Sequence, residues 1–226
     1  MNLLKIGSRI IDDNSDPYII AEIGVNHECS ISKAKQLILK AKEAGADAAK
    51  FQSYKAELIT SKNSPSYWDT SKEKIKNQFN LFKKYDHFNE ADYIKLYNYC
   101  KSLKIDFAST PFDHEAVDML DPLVSYFKIS SSDITNYPLL IKIASKKKPI
   151  LLSTGASSLS EIKDAIKLLK LYKCKEIVVM HCILSYPAKN ENANLGMITD
   201  LKTKFPKNLI GYSDHTLPDE EMTNMC

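Results

Sequence analysis

Arginine is almost missing from this chain: Arg9 is the only one among 31 basic residues. Any anion site must therefore be built from lysine, hydroxyls and backbone N–H groups, because no guanidinium fork falls inside the strand pattern. No C-x-x-C pair occurs. The five cysteines (Cys29, Cys100, Cys174, Cys182, Cys226) lie far apart, which suits reduced thiols in a cytosol rather than a disulfide frame or a zinc knuckle. A formal charge of +3 leaves no electrostatic footprint for nucleic acid or a membrane surface. No apolar run is long enough to span a bilayer, and the opening MNLLKIGSRIIDDNSD lacks the apolar stretch of a signal peptide. A cytoplasmic protein is expected.

Short apolar runs ending in polar residues do recur. They cover 18–24 (YIIAEIG), 48–54 (AAKFQSY), 106–112 (DFASTPF), 126–133 (YFKISSSD), 149–155 (PILLSTG), 177–183 (IVVMHCI) and 209–215 (LIGYSDH). Each has the length of a buried strand, and continuous apolarity suits a parallel sheet covered on both faces. Helical patterns fill the gaps. Ile31, Ala34, Leu37, Ile38 and Ala41 repeat at helical spacing before Gly45, a C-terminal stop. Ser158 with Glu161 forms a capping box ahead of Ile162, Ala165, Ile166 and Leu169. Asn89 caps a helix with Ile94, Tyr97 and Cys100 on one side.

Strands alternating with helices predict an α/β fold with parallel strands. The interval between Tyr54 and Asp106 is longer than the rest and contains NSPSYWDTSKEKIKNQ. It reads either as an extra surface helix with a loop or as an elaborated βα loop beside an active site. A doubly wound open sheet normally carries a Gly-rich first turn, and the first strand here ends in Glu-Ile-Gly-Val-Asn-His instead. The expectation is a TIM-type (β/α) barrel with seven of its eight strands, in a single domain over residues 1–226. That length falls short of the roughly 250 residues usual for the fold.

Barrel enzymes place their chemistry at the C-terminal ends of the strands. Those ends are polar here: Glu22 and Asn26, Lys50 and Gln52, Ser109 and Thr110, Lys128 with the run Ser130 to Asp133, Ser153 and Thr154, Tyr186, and Ser213 to His215. Period-two geometry puts Lys50 with Gln52, and Ser213 with His215, on common faces. A lysine inside a buried strand is costly to ionise unless it meets an acid or an anion. Glu22 or Asp133 would satisfy one such lysine, whereas two among hydroxyls suggest a polyanion such as a phosphate ester. His181, inside an apolar run, reads as core. His27 fits either role, and a lone His215 is more often structural than a metal ligand.

Seven segments in order resemble the sialic acid synthases, the family of N-acetylneuraminate, legionaminate and pseudaminate synthases. They are EIGVNH (22–27), AKFQ (49–52), STPF (109–112), FKISS (127–131), LSTG (152–155), LSYP (184–187) and GYSDHT (211–216). The resemblance implies a metal-dependent barrel that adds phosphoenolpyruvate to the open-chain aldehyde of an N-acetylmannosamine-like sugar and releases phosphate by C–O cleavage. It implies phosphoenolpyruvate contacts at Lys50, Thr110, Lys128, Ser131, Ser153 and Ser213, and an acid/base at Glu22. It also implies sugar contacts at Gln52 and Tyr186, and a metal ligand at His215, with manganese or magnesium as the ion.

The family's second histidine ligand and its C-terminal antifreeze-like domain, which in the family reaches across a homodimer to supply a sugar-binding arginine, have no counterpart before Cys226. The expectation is a truncated chain with weak or absent activity. Leu184 stands where some members carry a polar residue near the sugar. Two rival readings share these residues: a condensing synthase for an aldose phosphate, and a non-catalytic barrel that only binds sugar or phosphate.

Overall fold

This computed structural model describes residues 2–7 and 9–217. Strands β1 (Leu3–Ile6) and β2 (Arg9–Asp12) form an antiparallel hairpin. Then follow β3 (Ile20–Gly24), α1 (Ile31–Glu43), β4 (Ala48–Ser53), α2 (Ala56–Ile59), α3 (Gln78–Tyr85), α4 (Glu90–Leu103), β5 (Asp106–Pro111) and α5 (His114–Leu120). The remainder is β6 (Phe127–Ile129), α6 (Tyr137–Ser145), β7 (Ile150–Ser153), α7 (Leu159–Leu171), β8 (Ile177–Cys182), α8 (Gly196–Lys204) and β9 (Leu209–Ser213). All seven expected strands are present, shortened at their ends. Two compact units divide the chain, residues 18–125 and residues 1–17 with 126–226.

In the unit of residues 18–125, β3, β4 and β5 pair in that order, all parallel. Ser30 caps α1 by accepting from Lys33 N, and Gly45 follows the helix at φ +86°, a conformation that glycine adopts at no steric cost. Such a cap is worth about 1 kcal/mol. Asn89 and Asp92 form a capping box on α4. The buried stripe of α4 is Tyr93, Leu96 and Cys100, while Ile94 is exposed and Tyr97 only half-buried. The expected Ile94–Tyr97 face is therefore wrong by one position. Continued one turn, that stripe reaches Lys101, whereas the stripe through Leu96 stays apolar to its end.

The long interval after β4 contains the extra helix and the loop of the first reading. It has the extra helix α3, which buries no side chain fully, and a loop fastened by a Pro65–Asn77 bridge and by Trp68 Nε1 donating to Ile75 O at 3.0 Å. This loop follows α2, which comes after the C-terminal end of β4.

In the other unit, β6, β7, β8 and β9 form one parallel sheet in that order. Every residue of β6, β7 and β8 is buried, as a sheet covered on both faces requires. Leu139, Leu140 and Ile143 of α6 and Ile162, Ala165 and Leu169 of α7 are buried, and these helices pack on each other. Full burial of each leucine or isoleucine contributes roughly 1.5–3 kcal/mol. The capping box expected from Ser158 and Glu161 is formed at α7. The hairpin β1–β2 had no counterpart among the sequence expectations. Its strands are four residues long, too short for a period to stand out. Among the described residues, no helix is long and apolar enough to cross a membrane. Cys29, Cys100, Cys174 and Cys182 are free thiols, and Cys226 lies outside the described residues.

Candidate active site

Paired residues in a parallel sheet project to the same side. Glu22 lies opposite Lys50, and Gln52 opposite Thr110, so all four share one face of the first sheet. Lys50 is 7% exposed. Its Nζ forms an ion pair with Glu22 and donates to Thr110 Oγ1 at 3.2 Å. Burying an ammonium is costly, and the carboxylate and hydroxyl offset that cost. Glu22 itself is half exposed, so its oxygens remain accessible to a ligand arriving from solvent.

The register slips between Glu22 and Gly24, a bulge that re-aims the end of β3. Gly24 sits at φ +55°, and a Cβ there would lie 3.3 Å from Glu22 Oε1 and 3.6 Å from Gln52 Nε2. The glycine thus serves both the backbone conformation and the close approach of those two side chains. Ser53 and Ser109 occupy the opposite face, where their hydroxyls meet at 2.6 Å. Ser109 is therefore placed away from Lys50, although it belongs to the same strand end.

In the second sheet the register aligns Lys128 with Leu151, Ser153 with Met180, and Cys182 with Ser213. Alternation then places Lys128, Ser153, Cys182 and Ser213 on one face. Lys128 is also 7% exposed, and its Nζ donates to Ser153 Oγ at 2.6 Å. Ser131 begins the 3₁₀ turn that follows β6. Its buried hydroxyl accepts from Gly155 N at 3.0 Å and lies 2.9 Å from Cys182 Sγ. Burial pushes the neighbouring Asp133 carboxyl upward, against hydrogen bonds from Asn136 and Ser132. The hydrogen bonds found for Asp133 lead to those two residues rather than to either lysine.

His215 Nδ1 lies 2.6 Å from Ile183 O. A carbonyl only accepts, so Nδ1 carries a proton, and Nε2 lies 3.5 Å from Ser213 Oγ. The Tyr186 ring, 65% exposed, packs at 4.2 Å against the imidazole. His181 is core as expected, buried with Nε2 2.7 Å from Ala193 O. His27 is structural as well: its ring stacks on Phe88 at 4.3 Å, and Nδ1 accepts from Cys29 N at 3.0 Å.

Two residues in contact with Ser131 carried no role in the sequence reading, Cys182 and Gly155. A Cβ on Gly155 would stand 2.7 Å from Cys182 Sγ, 3.0 Å from Ser131 Oγ and 3.2 Å from the Cys182 carbonyl. The backbone oxygen cannot swing aside. We expect Gly155→Ala to lower unfolding free energy by about 1–3 kcal/mol through overpacking, read as a fall in the urea midpoint at unchanged slope. An unchanged midpoint would mean that this corner is looser than its distances imply.

Residues 37–224 match the NeuB family. The chain is 39% identical to the N,N'-diacetyllegionaminic acid synthase of Legionella pneumophila, over 88% of this chain and 58% of that enzyme. It is 32% identical to the N-acetylneuraminate-9-phosphate synthase of Drosophila melanogaster, over 94% of this chain and 56% of that one. Among solved structures, the N-acetylneuraminic acid (sialic acid) synthetase of Leptospira borgpetersenii in complex with citrate superposes with a TM-score of 0.86. The identity there is 34%, covering 97% of this chain and 72% of that one. The chain spans no more than 60% of the length of the curated relatives it matches first.

Proposed function

Because the chain belongs to the NeuB family, we propose that it handles phosphoenolpyruvate in the condensation that builds a nonulosonic acid. The observation that carries this reading is the buried Lys50 ammonium of β4, held by a half-exposed carboxylate and a hydroxyl. Lys128, equally buried and hydrogen-bonded to Ser153, supports it from the other unit. In a chain with one arginine, lysine and hydroxyl groups supply the cation and donors that a multiply charged enol phosphate needs.

C3 of phosphoenolpyruvate forms the new carbon–carbon bond to the aldehyde carbon of an open-chain N-acylated amino sugar, whose oxygen takes up a proton. Positive character left at C2 is captured by water. Glu22 accepts the proton that water loses, and collapse of the resulting centre breaks the C2–O bond and releases inorganic phosphate. In the unit of residues 18–125, Lys50 and Thr110 are the proposed contacts for the enol phosphate and Gln52 for the sugar; in the other unit the same roles fall to Lys128, Ser131, Ser153 and Ser213, and to Tyr186.

His215 would suit a divalent metal, manganese or magnesium: its Nδ1–H is engaged by the Ile183 carbonyl, and a neutral ring would leave Nε2 to bind the ion. Among the described residues no group of three His, Cys, Asp or Glu could hold a metal ion, and His215 is the residue that would hold one here. When bound, such an ion supplies a Lewis acid for the aldehyde oxygen.

Isothermal titration with phosphoenolpyruvate is the first test. Binding by the chain, lost in Lys50→Ala, is expected, and absence of binding by the unsubstituted chain ends this reading. Phosphate release with N-acetylmannosamine, with its 6-phosphate and with a diamino-dideoxy sugar identifies the electrophile. The relatives named above differ on this point. Release with a simple aldose phosphate alone would replace the amino sugar in the scheme.

A further inference from the structure

Ser131 Oγ has two lone pairs and one proton. Gly155 N–H fills one lone pair at 3.0 Å, and Cys182 Sγ lies 2.9 Å away. Two directions are open to the sulfur contact. If the hydroxyl donates to sulfur, Ser131 turns a lone pair toward any ligand and repels an anion. If the thiol donates to the hydroxyl, both lone pairs are filled, and the Oγ–H is left to point at the ligand as a donor. Cys182 shares its sheet face with Lys128, Ser153 and Ser213. It is buried, and the backbone of Gly155 approaches so closely that a methyl group there would touch both Sγ and Oγ. That approach holds all three groups in contact.

We propose that Cys182 is a positioning residue: its thiol donates to Ser131 Oγ and thereby fixes the serine hydroxyl as a donor to a phosphate or carboxylate oxygen of the substrate. This rests on the reading of Ser131 as a phosphoenolpyruvate contact. It assigns the cysteine a part in anion recognition without touching the substrate. Serine at position 182 can make the same donation, whereas alanine cannot.

Two measurements on the full 226-residue chain test the assignment. The first needs no ligand. The S–H stretching band of Cys182, isolated as the Raman difference between the unsubstituted chain and Cys182→Ser, is expected to move to higher wavenumber in Ser131→Ala, where its acceptor is gone. A band that stays in place shows that the thiol is not the donor and overturns the proposal, whatever the ligand does.

The second is titration with phosphoenolpyruvate. Cys182→Ala is expected to weaken binding about tenfold, and Cys182→Ser to stay within about twofold of the unsubstituted chain. In a Ser131→Ala background, Cys182→Ala should cost nothing further, because the residue acts only through that hydroxyl. A packing role would instead make the two losses add, and that result, or full affinity in Cys182→Ala, overturns the proposal. If the unsubstituted chain binds no phosphoenolpyruvate while the Raman shift is present, the functional reading has failed and the positioning role falls with it, the hydrogen-bond direction standing alone. Should Cys182→Ala fail to fold, the Raman comparison still decides, since it uses Cys182→Ser and Ser131→Ala.

Discussion

A chain carrying Lys50→Met is expected to bind phosphoenolpyruvate about 100-fold more weakly, yet to unfold at nearly the same urea concentration as the unsubstituted protein. Methionine keeps the stem of the lysine side chain and so leaves little void. The ammonium it removes is buried, and its ion pair with Glu22 recovers roughly what desolvation costs. Glu22 is half exposed and can be hydrated once its partner is gone. The net change in stability should stay within about 1 kcal/mol. Affinity responds differently, because loss of one buried cation facing a multiply charged anion costs about 3 kcal/mol, which is about 100-fold. Calorimetric titration and urea denaturation of the same samples separate the two quantities. Undiminished binding would remove Lys50 from the anion site. Unchanged binding with an unfolding free energy lowered by several kcal/mol would make the Lys50–Glu22 pair purely architectural.

The difference between those outcomes turns on where a charge sits, and that was only partly legible in the chain. Strands β7 and β8 announced themselves because short, almost continuous apolar runs such as ILL and IVVM have few other uses, and β4 and β6 followed from the same run length despite the lysine inside each. Residue types at the strand ends were legible too, and alternation correctly paired Lys50 with Gln52. Partners were not. The Ser131–Cys182 contact joins residues 51 apart, and nothing local in either segment specifies it. The slip between Glu22 and Gly24 depends on how β3 meets β4, which a single strand's pattern does not contain. His27 was ambiguous for the same reason: the ring that buries it, Phe88, comes from far along the chain.

That buried histidine should govern the response to mild acid. His27 is 1% exposed, and burial first, then the nearby Lys33 cation, lowers its pKa to about 4. Protonation would place a second N–H where Nδ1 now accepts from Cys29 N, while Nε2, already without a hydrogen-bond partner, stays enclosed. In the unfolded chain the imidazole titrates near its ordinary value of about 6.5. Below that value the unfolded state takes up a proton that the folded state refuses. Stability is therefore complete above pH 6.5 and falls as pH drops toward 4. The loss should be about 2 kcal/mol at pH 5 and about 3 kcal/mol at pH 4.

His27→Asn provides the comparison. The asparagine carbonyl can accept from the N–H two residues on, as the imidazole does, but it does not titrate. This variant should be less stable at pH 7 for want of the ring stacked on Phe88, and it should lose much less stability between pH 7 and pH 5. Carboxylates with depressed pKa, such as Asp92 and Glu161, are common to both proteins and cancel. Urea midpoints measured at half-unit intervals across that range give the two slopes. Parallel slopes would assign the acid sensitivity to another group. A steep slope confined to the unsubstituted chain would tie it to the loop that continues from Gly24, next to the carboxylate proposed to accept the proton from water.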